Sequence, residues 1–140
     1  MSDLAPMKTR DGRLGYEAAG DPTLPPLVFL HGIGGAARAW RGQLDFFGDR
    51  FHAIAWDMPG YGGSAPLANC SIAALAGALQ DFLQQVGATK PILVGHSIGG
   101  MVVQQLLAKS PHIAGRRRSS KRGSARSIAA KRLFRWRRRW

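Results

Sequence analysis

No aspartate or glutamate follows Asp81 anywhere in this 140-residue sequence. Among these residues, no carboxylate that could orient a catalytic base follows position 81. Cysteine is almost absent too. Cys70 stands alone, which excludes an internal disulfide and a multi-cysteine metal site, and fits a reducing compartment. Long apolar runs are missing, because His96 and Gln104 interrupt the longest candidates well short of the ~20 residues that span a bilayer. The opening "MSDLAPMKTRDGR" has an early acid and no apolar stretch, so no signal peptide is expected and the cytoplasm is the default location.

What is present divides at Gly115. Residues 1–115 carry eight basic and eight acidic side chains and are neutral as a unit. All of the formal charge of +12 lies in residues 116–140, which hold twelve Lys or Arg and no acid. The pI near 11.4 thus describes a tail, and as a signal for nucleic acid it does not extend to the body. Two regions are expected: a partial globular domain over 1–115 and an Arg-rich tail, disordered or helical, over 116–140.

Along the body, strand and helix patterns alternate. Asp11-Gly12 marks a hairpin turn between two short extended segments. Leu27, Val28, Phe29 and Leu30 are apolar without alternation, as in a strand covered on both faces. A short helix follows with Trp40, Leu44 and Phe47 at helical spacing, then a second buried strand, "FHAIAWD", and the turn-rich "MPGYGGSAP". Ser71 can cap a helix that places Ile72, Leu75, Leu79, Phe82 and Leu83 on one side and stops at Gly87. "KPILVG" is a third continuous apolar strand, and "GGMVVQQLLAKSP" a last helix. This order predicts an α/β fold with a mostly parallel sheet and helices on both faces. Chemistry in such sheets collects in loops at the carboxyl ends of the strands, here "HGIGG", "DMPGYGGS" and "GHSIGG".

"GHSIGG" contains G-x-S-x-G, with Gly95, Ser97 and Gly99 between an apolar strand and a helix. That context lifts a serine hydroxyl on a sharp turn, and the backbone N–H of Ile98 at the helix start faces any oxyanion formed there. A second oxyanion donor is expected from "HGIGG", where Ile33 follows His31-Gly32 directly. His31 is read as a residue that braces its loop rather than a general base. His96 adjoins Ser97, so its side chain points away from that hydroxyl.

With "LVFLHGIGG", Trp40, "DMPGYGGS" and "GHSIGG" in order, the chain resembles the α/β-hydrolase superfamily over about residues 8–115. It is most similar to the serine-nucleophile branch of esterases, enol-lactone hydrolases and related enzymes. The resemblance implies Ser97 as nucleophile, Ile33 and Ile98 as oxyanion donors through their backbone N–H groups, and a structural role for Asp57 and the loop 60–64. It implies a small-molecule acyl substrate and no metal or organic cofactor. Serine at the elbow argues against the dehalogenase and epoxide hydrolase branches, whose nucleophile is aspartate.

The superfamily's triad runs serine, acid, histidine along the chain. Here no acid follows Ser97, and the only later histidine, His112, is carried about 18 Å from the elbow by the helix between them. The expected protein is the amino-terminal portion of such a hydrolase, inactive or nearly so, with Ile92-Leu93-Val94 left as an exposed apolar edge. The tail admits three accounts: an out-of-frame ending, a plain solvated segment, or a binding segment for anionic membrane or nucleic acid, since Ala129, Leu133, Trp136 and Trp140 fall at helical spacing. A different reading takes Gly32, Gly34 and Ala37 as G-x-G-x-x-A and Asp57 as the ribose-binding acid of a dinucleotide site. Oligomeric state is not legible.

Overall fold

A computed structural model describes residues 4–115, so the expectations for residues 116–140 lie outside the described residues. The body is a five-stranded sheet in the order β1-β2-β4-β3-β5, formed by β1 (Met7–Lys8), β2 (Gly15–Ala19), β3 (Pro26–Leu30), β4 (His52–Trp56) and β5 (Ile92–Gly95). β1 and β2 pair antiparallel, as the Asp11-Gly12 hairpin signal predicts, and β2 also pairs antiparallel with β4. β3 pairs parallel with β4 on one side and with β5 on the other, with Val28 level with both Ile54 and Leu93.

Strand side chains alternate between two cores. Val28, Leu30, Ile54 and Trp56 face α2 (Ile72–Gln85) and α3 (Ile98–Lys109), where Leu75, Leu79, Phe82, Val102 and Leu106 are buried against them. Leu27, Phe29, Ala53 and Ala55 face the other way, onto Ala37 and Leu44. Being covered on both sides is why these strands read as continuous apolar runs.

The helix expected around Trp40 is built in two pieces, a tight 3-10 turn over Ala37–Trp40 and then α1 over Arg41–Phe47. Trp40 stacks on Phe29 with ring centroids 4.9 Å apart. Glu17 on β2, buried at 5% exposure, takes a two-pronged ion pair from Arg41, with Nε and Nη2 at 2.9 and 2.7 Å. That pair ties α1 to the sheet.

α2 begins and ends on side-chain and backbone signals. The Ser71 hydroxyl accepts from Ala74 N at 3.1 Å. Gly87, at φ +69°, closes the other end, with Gly87 N bonded to Gln84 O and Ala88 N to Leu83 O.

Candidate active site

The two parallel partners of β3 lie on opposite sides of it, so the carboxyl ends of β3 and β5 lie side by side where the chain order switches direction, the usual place for a site in such sheets. "HGIGG" and "GHSIGG" leave these strands side by side. β5 stops at Gly95 and α3 starts at Ile98, leaving only His96 and Ser97 to make the turn. Ser97 takes it with φ 55° and ψ −122°, a conformation that costs a residue bearing a Cβ ~1–3 kcal/mol.

The flanking glycines hold that strain in place because nothing larger fits. A Cβ on Gly95 would stand 2.5 Å from Gly100 N, and one on Gly99 would stand 2.4 Å from Leu30 O. α3 is thereby seated directly on the end of β3. Ser97 is solvent-exposed at the top of the turn, while its carbonyl accepts from Gly100 N at 2.9 Å.

Gly32 lies against this elbow, since a Cβ there would come within 3.1 Å of Ser97 Cβ. The next residue, Ile33, is 76% exposed. Neither Ile33 N nor Ile98 N donates to a protein acceptor among the described residues. Two backbone amides without a protein acceptor among the described residues thus adjoin this elbow in the chain, one directly after Ser97 and one directly after Gly32.

His31 is consumed by structure. It is 2% exposed, its Nε2 accepts from Met58 N at 2.9 Å, its Nδ1 lies 2.8 Å from Gly32 O, and its ring meets Tyr61 edge-on at 5.4 Å. Asp57 is likewise committed. Oδ1 accepts from Ala37 N at 2.7 Å and Oδ2 from Gly63 N at 2.9 Å, while Ser64 Oγ donates to Asp57 O at 2.5 Å and accepts from Gly15 N at 2.9 Å. A carboxylate holding two loops through both oxygens has little left for a ribose, which weighs against dinucleotide binding at this acid. Ser64 falls in the loop 60–64 read as structural, but its two-way link from the loop to β2 carried no separate signal in the sequence.

His112 sits at the far end of α3 from Ser97. Lys90, just before β5, donates to the His112 carbonyl, and Gly115 N bonds Pro91 O at 3.1 Å. A concavity of about 440 Å³ at this same end, bordered by Gln80, Leu83, Gln84, Lys90 and His112, does not reach the elbow.

The profile of the α/β hydrolase fold matches residues 25–115, which hold every loop just described. The chain belongs to the α/β-hydrolase family. Over 86 residues this α/β hydrolase is 38% identical to the dihydrolipoyllysine-residue acetyltransferase component of the acetoin cleaving system of Cupriavidus necator, covering 61% of this chain and 23% of that protein. It is 34% identical to epoxide hydrolase 3 of Xenopus tropicalis, covering 76% of this chain and 33% of that protein. The crystal structure of E-2-(acetamidomethylene)succinate hydrolase superposes with a TM-score of 0.72 at 26% identity, over 79% of this chain and 42% of that one. The chain thus spans about a quarter to a third of the length of these curated relatives. Among its described residues no helix is long and apolar enough to cross a membrane.

Proposed function

We propose that this protein handles acyl compounds, carboxylic esters, lactones or their relatives, with Ser97 as the acyl-accepting nucleophile and the backbone N–H groups of Ile33 and Ile98 as the oxyanion donors. The observation that supports this reading is the strained, exposed Ser97, with the Ile98 N–H next to it in the chain and the Ile33 N–H following Gly32 at the elbow, neither amide bonded elsewhere among the described residues. Oγ would bond to the carbonyl carbon, the carbonyl oxygen would take the negative charge between the two amides, and the alkoxide would leave with the serine's proton.

The chemistry of serine separates this reading from epoxide opening, which the Xenopus relative's name describes. A serine that opened an epoxide would become an ether, with no carbonyl for water to attack, and would be spent after one event. An acylated serine is an ester, and the same two amides can polarise it for hydrolysis.

Turnover needs a base, and after Ser97 the sequence supplies neither an acid nor any histidine but His112. The 140-residue chain by itself is therefore expected to acylate slowly and to release the acyl group more slowly still. A positioned oxyanion hole without a working triad retains on the order of 10³-fold acceleration over water. Incubation with a p-nitrophenyl ester followed by peptide mass spectrometry should find an acyl adduct on Ser97 and none there in Ser97→Ala. Label only on lysines would remove Ser97 as nucleophile. Sustained hydrolysis abolished by Ser97→Ala would instead overturn the expected lack of turnover.

A further inference from the structure

We propose that His31 is a positioning residue that sets the direction of the Ile33 N–H, by gripping the carbonyl at the other end of the same peptide plane. The proposal rests on the reading of Ile33 as an oxyanion donor and gives that donor a cause.

A backbone N–H can only donate, so Met58 N, 2.9 Å from Nε2, requires that nitrogen to be unprotonated. The proton of the buried, neutral ring then resides on Nδ1, which donates to Gly32 O at 2.8 Å. Gly32 O also accepts from Gly35 N at 3.0 Å, closing a tight turn with Gly34 at φ +76°. Both lone pairs of one carbonyl are thereby filled.

That carbonyl and the Ile33 N–H belong to one planar trans peptide, so they point in opposite directions. Turning the oxygen toward the imidazole turns the N–H away from it. Gly32 borders Ser97, with room for a Cβ only 3.1 Å from Ser97 Cβ, so the freed amide lies at the mouth of the elbow. Only glycine fits at position 35 beside the imidazole, since a Cβ built there would stand 2.9 Å from His31 Cβ and 3.0 Å from Nδ1. His31 thus couples the ends of β3 and β4 to the orientation of one N–H. The glycine turn by itself supplies only one of the two grips.

The test reads the amide directly, in the isotope-labelled 140-residue chain. Imidazole ¹⁵N shifts should show His31 protonated at Nδ1 and bare at Nε2, and the opposite tautomer would overturn the proposal outright. Residual dipolar couplings then compare the Ile33 N–H direction in two variants. His31→Asn keeps a donor near the Nδ1 position, whereas His31→Gln keeps an acceptor near Nε2 for Met58 N and loses the grip on Gly32 O. The Ile33 coupling should survive in His31→Asn and change in His31→Gln, while couplings in β3 and β4 stay the same in both. An unchanged Ile33 coupling in His31→Gln would mean that the turn alone holds the peptide, and the proposal fails. If neither variant folds, the tautomer in the unaltered chain still decides. None of these readouts depends on Ser97 chemistry, so an absent acyl adduct would count against the proposed function and leave this inference standing.

Discussion

Ser97 adopts φ 55° and ψ −122°, angles that suit glycine and burden serine. Relief of that burden exceeds the extra chain entropy that glycine brings to the unfolded state, so Ser97→Gly should raise stability by about 1 kcal/mol in urea unfolding. Ser97→Ala, which keeps the Cβ, should leave stability near the parent value. An equal effect in both would show that the turn stores no strain. A second residue, Asp11, ties the first hairpin to the end of α2. Its carboxylate takes bonds from the Thr9 hydroxyl, Arg13 N and Gln85 Nε2, and these, the hydroxyl foremost, lower its pKa to about 2. Because the folded value lies below the ordinary one, the unfolded chain takes up the proton first as pH falls. This contribution to stability is full above the ordinary value of 3.8 and is lost as pH drops through about 2. Carboxyl ¹³C titration should find the low midpoint, and Thr9→Val should move it back toward the ordinary range. These two residues differ in how far local sequence announces them. Ser97 sits in a G-x-S-x-G frame whose glycines are readable at once, whereas Asp11's partner Gln85 lies 74 positions away with no pattern linking them. His31 and Met58, or Asp57 and Ala37, are hidden for the same reason, since bonds across loops leave no periodicity.

The elements themselves were largely readable, and the reasons are periodicity and punctuation. β3 and β4 announce themselves as apolar runs because both sheet faces are covered, and β5 carries the same apolar run although it is only partly covered. α2 does so by its Ser71 cap and its Gly87 stop. The first helix was less legible, since spacing alone cannot distinguish the 3-10 turn at Ala37–Trp40 from the α-helical turns after it. What selects it is tertiary: Asp57 Oδ1 draws Ala37 N toward the end of β4, and Trp40 must reach Phe29. α2 supplies five of the fourteen buried residues of one core. Phe82 is fully buried between Tyr16 and Trp56, at centroid distances of 5.7 and 5.8 Å. Phe82→Ala should cost about 3–5 kcal/mol in chemical unfolding through lost transfer energy and the cavity left behind. Gly87→Ala should cost about 1 kcal/mol, because a Cβ at φ +69° opposes the left-handed closing turn. Should the two substitutions prove equally mild, α2 would be a loosely docked helix and not a core element.

At the scale of the whole molecule the sheet has two unlike edges. β1 is two residues long and carries Lys8, both ways of discouraging a further strand. β5, with β3 as its partner among the described residues, presents Ile-Leu-Val with no charge and no bulge, and Ile92 is 50% exposed. Only the amino end of this edge is occupied, where Gly115 N meets Pro91 O. The body's neutrality removes any electrostatic barrier between copies, so the one long-range repulsion available is that of the +12 carried by residues 116–140. Repulsion of this kind acts over a Debye length of about 10 Å at 0.1 M salt and about 3 Å at 1 M. Edge pairing, which is apolar and hydrogen-bonded, is not screened in that way. Self-association of the full chain should therefore increase with salt, the opposite of what charge-driven aggregation would do. Placing a charge on β5 itself should suppress it without touching a buried side chain, as in Ile92→Lys at the first residue of the strand. Light scattering across a salt series should show the parent growing in mass as salt rises and Ile92→Lys remaining monomeric. If the two grow alike, the β5 edge is not the sticking surface; if association falls with salt, it is the tail's charge and not the sheet that drives it.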